Sequence, residues 1–509
     1  MTLEASDGIN FLPLTRACLS MTSTSAFPDL WDTNAAPSTS DASIIRSEIN
    51  SATNDLFLIR NELLQLQAYE KSLNRRLAKL QQFVDTYQPV VSGVRRLPPE
   101  ILLIIFRLYH LYHEPEQPWY VSMVCRTWRS VALSAPHMWS TISIESNSAP
   151  SSNSIAYTKE LIQRSAAAPL TVEFAILNMH PKCLRQLLSA SHRWQKATIA
   201  FSATDKCHHS FLSLRDRLQV LRELVISGNS GGRHNIDVHK LYMDVFWNAP
   251  SLQSLTIISL PLTTFRLPWH QLRRLVIRYA DQDLEDEDDF DQNFQDVLRN
   301  VPLLVELKII ITHHFTVVNP EPITIPRLEK LEIACDLGYF HLMTLPSLQT
   351  LISAPLFAED TDGIYEAPPL VSLLSRSHCS LKYLKIDSTD LPVETAVAIF
   401  QATPTLNHLV IDRFDMIPPQ LFNAMTLRPA QPNLLPQLLS VDITAEGIDA
   451  PAHEVADAAL EFCESRCKSD LEVKLASAFF FWNTRSFCAP SRSYRVQRLA
   501  DAGLKFAAS

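Results

Sequence analysis

Cysteine and histidine are the residues of this 509-residue chain best suited to metal chemistry, and they cluster at two places. Cys207, His208 and His209 are consecutive, so in a strand neighbouring side chains would point to opposite faces and meet at one ion only through a contorted loop. Cys463 and Cys467 lie four residues apart and could share one face of a helix. Two thiols fall short of the four ligands of a structural zinc site. The sequence therefore predicts no metal site.

The chain also offers little for binding a nucleotide. Only nine residues are glycine, and the glycine-rich stretch at residues 227–233 lacks the Gly-Lys-Ser/Thr ending of a phosphate-binding loop. A His-Glu-x-x-His zinc helix and a Cys-x-x-Cys pair are absent from the sequence. We therefore expect a non-catalytic protein without a cofactor.

The elements that carry the clearest signal lie between Leu97 and Trp139. Pro98 and Pro99 suit the first turn of a helix, where a backbone N–H would be unpaired in any case. The run from Ile101 to Phe106 contains no polar residue, so the helix that it forms must be covered on several sides. A module of this size buries too little apolar surface to be stable on its own. The segment is therefore predicted to dock on a partner that completes its core.

This segment resembles an F-box, the three-helix module that links substrate receptors to Skp-cullin-F-box ubiquitin ligases. The resemblance lies in its opening Leu-Pro-x-Glu-Ile-Leu, its Val-Cys-x-x-Trp segment and its closing Pro-x-x-Trp, at residues 97–102, 124–128 and 136–139. It implies adaptor contacts by Leu97, Pro98, Ile101, Ile105, Val124, Cys125 and Trp128. The proline-rich loop at residues 110–118 departs from the compact pattern, which leaves the start of the second helix open. The alternative is an amphipathic helical pair within an ordinary core.

A heptad repeat of apolar residues precedes this segment. One seam position holds Ile49, Leu56, Leu63, Glu70, Leu77 and Val84, and the other holds Ala52, Ile59, Leu66, Leu73, Leu80 and Tyr87. A repeat sustained over about 40 residues predicts a coiled-coil helix, with Pro89 as its stop. Two readings stay open at this point: a homodimer through the coiled coil, or a long helix that folds back on its own chain.

A Leu-x-x-Leu-x-Ile pattern recurs beyond the F-box-like segment. Seven copies have their central leucine at Leu224, Leu255, Leu275, Leu307, Leu331, Leu384 and Leu409. Degenerate copies lie at Leu348–Leu351 and Leu438–Ile443, and the mean spacing of about 26 residues falls in the range of leucine-rich repeats. Each copy predicts one short strand of a parallel sheet, followed by a returning segment that shares a continuous core with its neighbours.

The pattern resembles a leucine-rich-repeat protein over residues 170–477, except that the asparagine of the repeat is mostly missing. Asn229 holds that place after the first copy, whereas Leu260, Ala280, Thr312, Asp336, Thr389 and Phe414 hold it elsewhere. The resemblance therefore implies an irregular horseshoe. An unrelated α/β domain with leucine-rich strands is the alternative.

These patterns divide the chain into six parts. They are a disordered leader at 1–40, a coiled-coil helix at 41–89, an F-box at 90–145, a linker at 146–169, a leucine-rich-repeat-like solenoid at 170–477 and a C-terminal cap or tail at 478–509. The fold class is thus multidomain α and α/β.

The acidic run between Asp281 and Asp291 contains eight acids, which account for most of the net charge of -9. Such a run is usually a solvated surface, and no basic face for nucleic acid is present.

The arrangement of leader, coiled coil, F-box and irregular repeats resembles the expanded F-box families of fungi. It implies a substrate-recognition subunit of an Skp-cullin-F-box ubiquitin ligase, which binds an Skp-family adaptor, the cullin ligase and an unidentified protein substrate. The competing hypothesis is a non-ligase scaffold that uses the coiled coil and the repeats for assembly. Nine scattered cysteines, no secretory signal and no apolar run of membrane-spanning length predict a cytoplasmic or nuclear location.

Overall fold

The structure of the chain is a computed structural model. It describes residues 30, 36–112, 118–144, 152–176, 179–201, 208–228, 244–279, 287–312, 315, 317, 320–354, 368–387, 391–414, 418–428, 433–445, 452–468, 471, 473–481 and 490–508. The chain divides into two compact units, Met1–Pro98 and Pro99–Ser509. The predictions for the leader before residue 30, for Asn229 and for the acidic residues up to 286 lie outside the described residues.

The first unit contains one long helix, α1, at Thr39–Tyr87. The helix begins where the Ser38 side chain accepts a hydrogen bond from the Asp41 backbone N–H at 3.2 Å, which satisfies one of the unpaired donors of the first turn. It ends just before Pro89, which lies in a 3-10 turn at Gln88–Val90. No residue of α1 is buried. The apolar side chains of its heptad seam are therefore open to solvent.

The second unit starts with three short helices and a 3-10 turn at Pro136–Trp139. The helices are α2 (Pro99–Tyr112), α3 (Pro118–Val124) and α4 (Arg126–Leu133). Among the residues that the structure describes, they precede a sheet of 14 parallel strands, in which each strand pairs with the next strand of the same sheet in chain order. These strands are β1 (Thr141–Ile144), β2 (Leu170–Ala175), β3 (Trp194–Phe201), β4 (Glu223–Gly228), β5 (Ser254–Ile258), β6 (Arg274–Tyr279), β7 (Glu306–Ile311), β9 (Lys330–Ala334), β11 (Thr350–Ser353), β12 (Tyr383–Asp387), β13 (His408–Phe414), β14 (Ser440–Ala445), β15 (Ser477–Phe481) and β16 (Lys505–Ala508).

Two further strands, β8 (Ile323–Thr324) and β10 (Met343–Thr344), form a separate parallel pair. The connections between the large strands contain helices. They are α5 (Ser152–Arg164), α6 (Pro181–Ser189), α7 (His208–Phe211), α8 (Glu287–Arg299), α9 (Pro368–Ser377), α10 (Val393–Ala402), α11 (Pro419–Met425), α12 (Ala452–Arg466) and α13 (Pro490–Asp501).

The core lies along one face of the sheet, where the motif residues align in register. The eight central leucines from Leu224 to Leu409, including Leu351 of a degenerate copy, are paired from strand to strand. Each is at most 1% exposed. A parallel row two residues later runs from Ile226 to Ile443 and is interrupted by the buried Ser353. The alternation of strand side chains places both rows on the same face.

Two arginines, the buried Arg466 and the half-buried Arg376, join neighbouring connections. Arg466 is 2% exposed, and its guanidinium donates to the backbone oxygens of Met425, Leu434 and Leu435 at 2.7–3.2 Å. Arg376 likewise donates to the Phe340 and Met343 oxygens. Five donors in a fixed planar fork allow one arginine to satisfy several carbonyl groups for which the sheet has no partner. Burial lowers the pKa of Arg466 to about 10.

The expected combination of helical and α/β structure, with a long N-terminal helix and a parallel sheet, is confirmed. The sheet extends beyond residues 170–477 at both ends, to Thr141 and to Ala508. Helix α5 occupies most of the 146–169 segment, for which the sequence suggests only a linker. No helix among the described residues is long and apolar enough to cross a membrane.

Candidate functional site

The three helices at residues 99–133 begin at positions that their sequence specifies. Helix α2 starts at Pro99, whose fixed φ suits a first turn, and Glu100 in that turn complements the helix dipole. Helix α4 starts after Cys125, whose Sγ accepts a hydrogen bond from the Trp128 N–H at 3.4 Å. Helix α2 contacts both α3 and α4. The three helices therefore form one packed group.

The inner side of this group is a small aromatic core. Leu102 and Phe106, one turn apart on α2, are 1% and 0% exposed. The ring centroids of Phe106 and Trp128 lie 4.9 Å apart. The Trp139 Nε1–H donates to the Ala132 oxygen at 2.8 Å, which fixes the closing turn against α4. These contacts make Trp128 and Trp139 structural side chains of the group.

A cation stack connects the group to the first helix of the sheet region. The Arg164 guanidinium, at the end of α5, lies 4.4 Å from the Trp119 ring centroid and 4.5 Å from that of Trp139. The two rings themselves meet edge to face at 4.9 Å. The positive guanidinium is attracted to the negative faces of both aromatic rings by cation–π interactions. The helical group is thus attached to the sheet region by specific contacts.

The outer side of α2 is apolar as well. Ile101, Ile104, Ile105 and Leu108 are 41%, 52%, 40% and 49% exposed, and their spacing of three, four and seven residues places them on one helical face. We call these four residues the exposed stripe. Met123 and Val124, at the end of α3, are 66% and 61% exposed. An apolar surface of this kind is typical of a binding site.

The residues expected to contact an adaptor fall into three environments. Ile101, Ile105, Val124 and Cys125 are exposed, and Trp128 is half-buried against Phe106. Leu97, half-buried, and Pro98, exposed, close the first unit of the chain.

Ile104, Leu108 and Met123 are exposed apolar residues beyond that set. Their signal in the sequence is the unbroken apolar run of α2, which leaves no polar face. That run alone does not show which side of the helix is covered.

Arginine dominates the charge of this segment. The described residues between 94 and 144 include Arg95, Arg96, Arg107, Arg126 and Arg129, all exposed, and a single acid, Glu100. The Arg129 Nε–H donates to the Ser122 oxygen at 3.0 Å, which joins α4 to α3. The described residues of this segment therefore carry a net positive charge.

The candidate metal ligands do not form a site among the described residues. Burial raises the pKa of the Cys463 thiol well above its usual value, whereas a ligand thiol must lose its proton. Cys207 and residues 229–232 lie outside the described residues. Gly228, Ser230 and Gly232 also have the Gly-x-Ser-x-Gly spacing of a hydrolase nucleophile turn, but that motif needs a strand, a turn and a triad in known geometry.

Comparison with known proteins supports the helical group. Residues 94–145 match the F-box-like family. The match covers about a tenth of the chain, so it concerns this segment and not the remainder. A chain in the crystal structure of the Rad7 and Elc1 complex in yeast is similar to this chain at 14% identity and a TM-score of 0.30, over 74% of this chain and 96% of that chain. No curated protein matches the sequence.

Proposed function

We propose that this chain is the substrate-recognition subunit of an Skp-cullin-F-box ubiquitin ligase. The F-box-like segment would bind an Skp-family adaptor, and the sheet region would bind a protein target. The observation that carries the proposal is the exposed stripe of α2, together with Met123 and Val124, on a segment that matches the F-box-like family. The ligase chemistry belongs to other subunits, and the receptor contributes proximity between target and transfer machinery.

The exposed stripe supports docking because its helix also has an inward apolar face. Leu102 and Phe106 already supply the core of the segment, so the stripe is additional apolar surface. Covering a few hundred Å² of such surface at about 25 cal/mol per Å² contributes on the order of 5–10 kcal/mol before the costs of association. That gain is comparable to the cost of association, so the exposed stripe supplies a large part of the free energy that a complex needs.

The arginines define the chemistry of the adaptor. A partner with acidic residues around an apolar patch would complement the positive charge of this segment, which raises the rate of encounter. Screening by salt weakens attraction between exposed charges. We therefore expect adaptor binding to weaken as the salt concentration rises.

The sheet region supports the second half of the proposal. Its strands follow one another in chain order, with the leucine and isoleucine rows on the buried face, as expected for an irregular leucine-rich-repeat solenoid. We infer that this region is such a solenoid and that its open face binds the target. The proposed location is the cytoplasm or nucleus, where such ligases work.

We infer also that α1 associates with α1 of a second copy of the chain. The seam residues of α1 are exposed along its length, from Ile49 at 58% to Tyr87 at 54%. A heptad seam is shaped for another helix of the same period. Two receptors joined in this way would offer two target-binding faces.

The central test is binding of an Skp-family adaptor to the purified chain. The double variant Ile101→Asp with Val124→Asp places two charges on the proposed contact surface without touching the Phe106 core. We expect a loss of affinity of roughly 100-fold or more, measured by calorimetry. The matched control is Val220→Asp, which changes a side chain that is 43% exposed and lies outside the F-box-like segment.

Unchanged adaptor binding by a folded double variant would exclude this docking mode. A wild-type chain that binds no Skp-family adaptor would instead favour the scaffold hypothesis. Circular dichroism on both variants shows whether the fold is kept.

A further inference from the structure

We propose that the α1 helices of two copies pair in antiparallel orientation, in the register that places Leu63 of each copy opposite Leu73 of the other. The inference rests on the self-association proposed above and adds its orientation and register. It does not depend on adaptor binding.

The seam of α1 has the period and the exposure that a helical partner requires. Its members repeat every seven residues on two positions. Ten of the twelve are large and apolar, and the other two are Ala52 and Glu70. Leu56, Leu66 and Leu77 are 55%, 51% and 67% exposed. The seam from Ile49 to Tyr87 is about 57 Å long at a rise of 1.5 Å per residue. A second copy supplies a seam of identical length and period.

Glu70 decides the orientation, because it is the one charged residue in the seam. In a parallel pair in register, equivalent positions face each other, so two Glu70 carboxylates would meet within an apolar layer. Like charges that also lose water are strongly unfavourable there. In an antiparallel pair the first seam position faces the second, so Glu70 meets Leu66 of the other copy. The two Glu70 residues then lie about 6 Å apart along the helix axis.

The register follows from the symmetry of the seam. When residue 68 lies at the level of residue 68 in the other copy, all twelve seam positions are matched. The resulting layers are Ile49 with Tyr87, Ala52 with Val84, Leu56 with Leu80, Ile59 with Leu77, Leu63 with Leu73, and Leu66 with Glu70. A shift by one heptad leaves two seam positions of each copy without a partner and buries less apolar surface.

The charges beside the seam agree with this register. Glu62 and Arg76 both lie directly before a first seam position, and the register brings Glu62 of each copy beside Arg76 of the other. The two-fold symmetry makes two such pairs. A parallel pair would instead bring Asp55 beside Arg60, so the flanking charges are compatible with both orientations. The central Glu70 layer therefore makes the distinction.

Cysteine crosslinking of the full-length chain tests the proposal. Three variants are compared with the wild type after mild oxidation: Leu63→Cys, Leu73→Cys and the double variant. In the proposed register only the double variant has thiols opposite each other, so only it should form a covalent dimer above the level given by native thiols such as the exposed Cys125. The control is Gln65→Cys with Arg75→Cys, which lies off the seam at the same separation and should stay at that level.

Each other outcome overturns the proposal. Covalent dimers of the single variants would show a parallel pair, because each residue would then face its own counterpart. A dimer by light scattering without crosslinks in the double variant would exclude the register. A monomer by light scattering would exclude self-association altogether, and adaptor binding by the same sample would show that the proposed ligase role still holds.

Discussion

At the scale of single residues, Trp128 shows how a docking signature can also maintain the fold of its own segment. Its ring packs against Phe106 at 4.9 Å, and its backbone N–H caps α4 through Cys125. Loss of adaptor binding in a Trp128 variant would therefore mix two effects. The exposed Ile101 and Val124 separate contact from folding more cleanly.

We expect Trp128→Ala to destabilise the helical group by about 2–4 kcal/mol, because it removes the aromatic neighbour of Phe106 and leaves a cavity. Trp128→Phe keeps a ring at this place and should lose less than half as much. Chemical unfolding monitored by tryptophan fluorescence and circular dichroism measures both values. Equal stability of the alanine variant and the wild type would contradict the packing role.

Asp442 is a second informative residue, on the face of β14 opposite the buried row. Its Oδ1 is inaccessible to water and has no hydrogen-bond partner among the described residues. Burial raises the pKa of this carboxyl from its ordinary 3.8, the nearby Asp412 raises it further, and His408 lowers it. The folded chain therefore binds this proton more tightly than the unfolded chain, so ionisation of Asp442 costs stability above its folded pKa.

The variant Asp442→Asn should consequently be more stable than the wild type at neutral pH, with a rise in unfolding midpoint of roughly 1–3 °C. The gain should shrink as the pH falls towards 3.8, because the wild-type carboxyl then becomes neutral as well. Thermal unfolding measured between about pH 4, close to the ordinary pKa of a carboxyl group, and about pH 7.5, well above it, gives the trend. The control is Glu329→Gln, which changes an exposed carboxyl just before β9 and should leave the unfolding midpoint nearly unchanged at each pH.

The sequence predicts much of the helical group, and the structure shows where such a prediction stops. Helix starts at Pro99 and after Cys125 follow from proline and capping rules. The two sides of α2 do not, because a run of six apolar residues gives no polar face that would orient it. Only packing of Phe106 against Trp128 determines that Ile101, Ile104 and Leu108 face outward.

At the scale of elements, the leucine row is the main determinant of the sheet. Leu351 is 0% exposed between Leu331 and Leu384, its partners on the two adjacent strands. We expect Leu351→Ala to cost about 2–5 kcal/mol, since the close-packed row cannot collapse into the space. The adjacent Thr350→Ala, on the other face of the same strand, should cost less than about 1 kcal/mol. Equilibrium unfolding in urea compares the two.

The buried Arg466 is expected to stabilise the connections around it. Replacement by methionine keeps an unbranched side chain at this place, but it removes the guanidinium that lies over the Phe462 ring and leaves the Met425, Leu434 and Leu435 carbonyl oxygens without their donors. Unsatisfied buried carbonyls make a loss of about 2–4 kcal/mol the expected result. Arg498→Met on α13, where the arginine is exposed, is the matched control and should be nearly neutral in the same urea titration.

The spacing of Leu-x-x-Leu-x-Ile predicts the strands of the large sheet from β4 to β14, but not the separate pair β8 and β10, because an alternating motif determines which face is buried. It does not reveal β1, β2, β3, β15 and β16, whose inward residues include Val172, Trp194 and Phe480 in place of the leucine pattern. Only β1 and β16 have a single neighbouring strand, whereas β2, β3 and β15 pair on both sides. Burial at these strands is achieved with valine, tryptophan or phenylalanine, which the leucine pattern does not predict.

At the scale of the whole molecule, the two units have different requirements. The second unit has its own core, whereas α1 has no buried residue. A chain consisting of residues 93–509 should thus unfold within about 2 °C of the full-length protein, because no core side chain is removed. The same truncation should be monomeric by light scattering. A large drop in the unfolding midpoint would contradict this separation.

The order of pairing in the sheet has a consequence for synthesis. From β1 to β16, each main strand lies beside the strand made before it. A growing chain can therefore add strands as they leave the ribosome, and none has to wait for a partner that is still untranslated. Contacts that are local in this sense favour rapid folding. They also limit how long an uncovered apolar edge is available to other nascent chains.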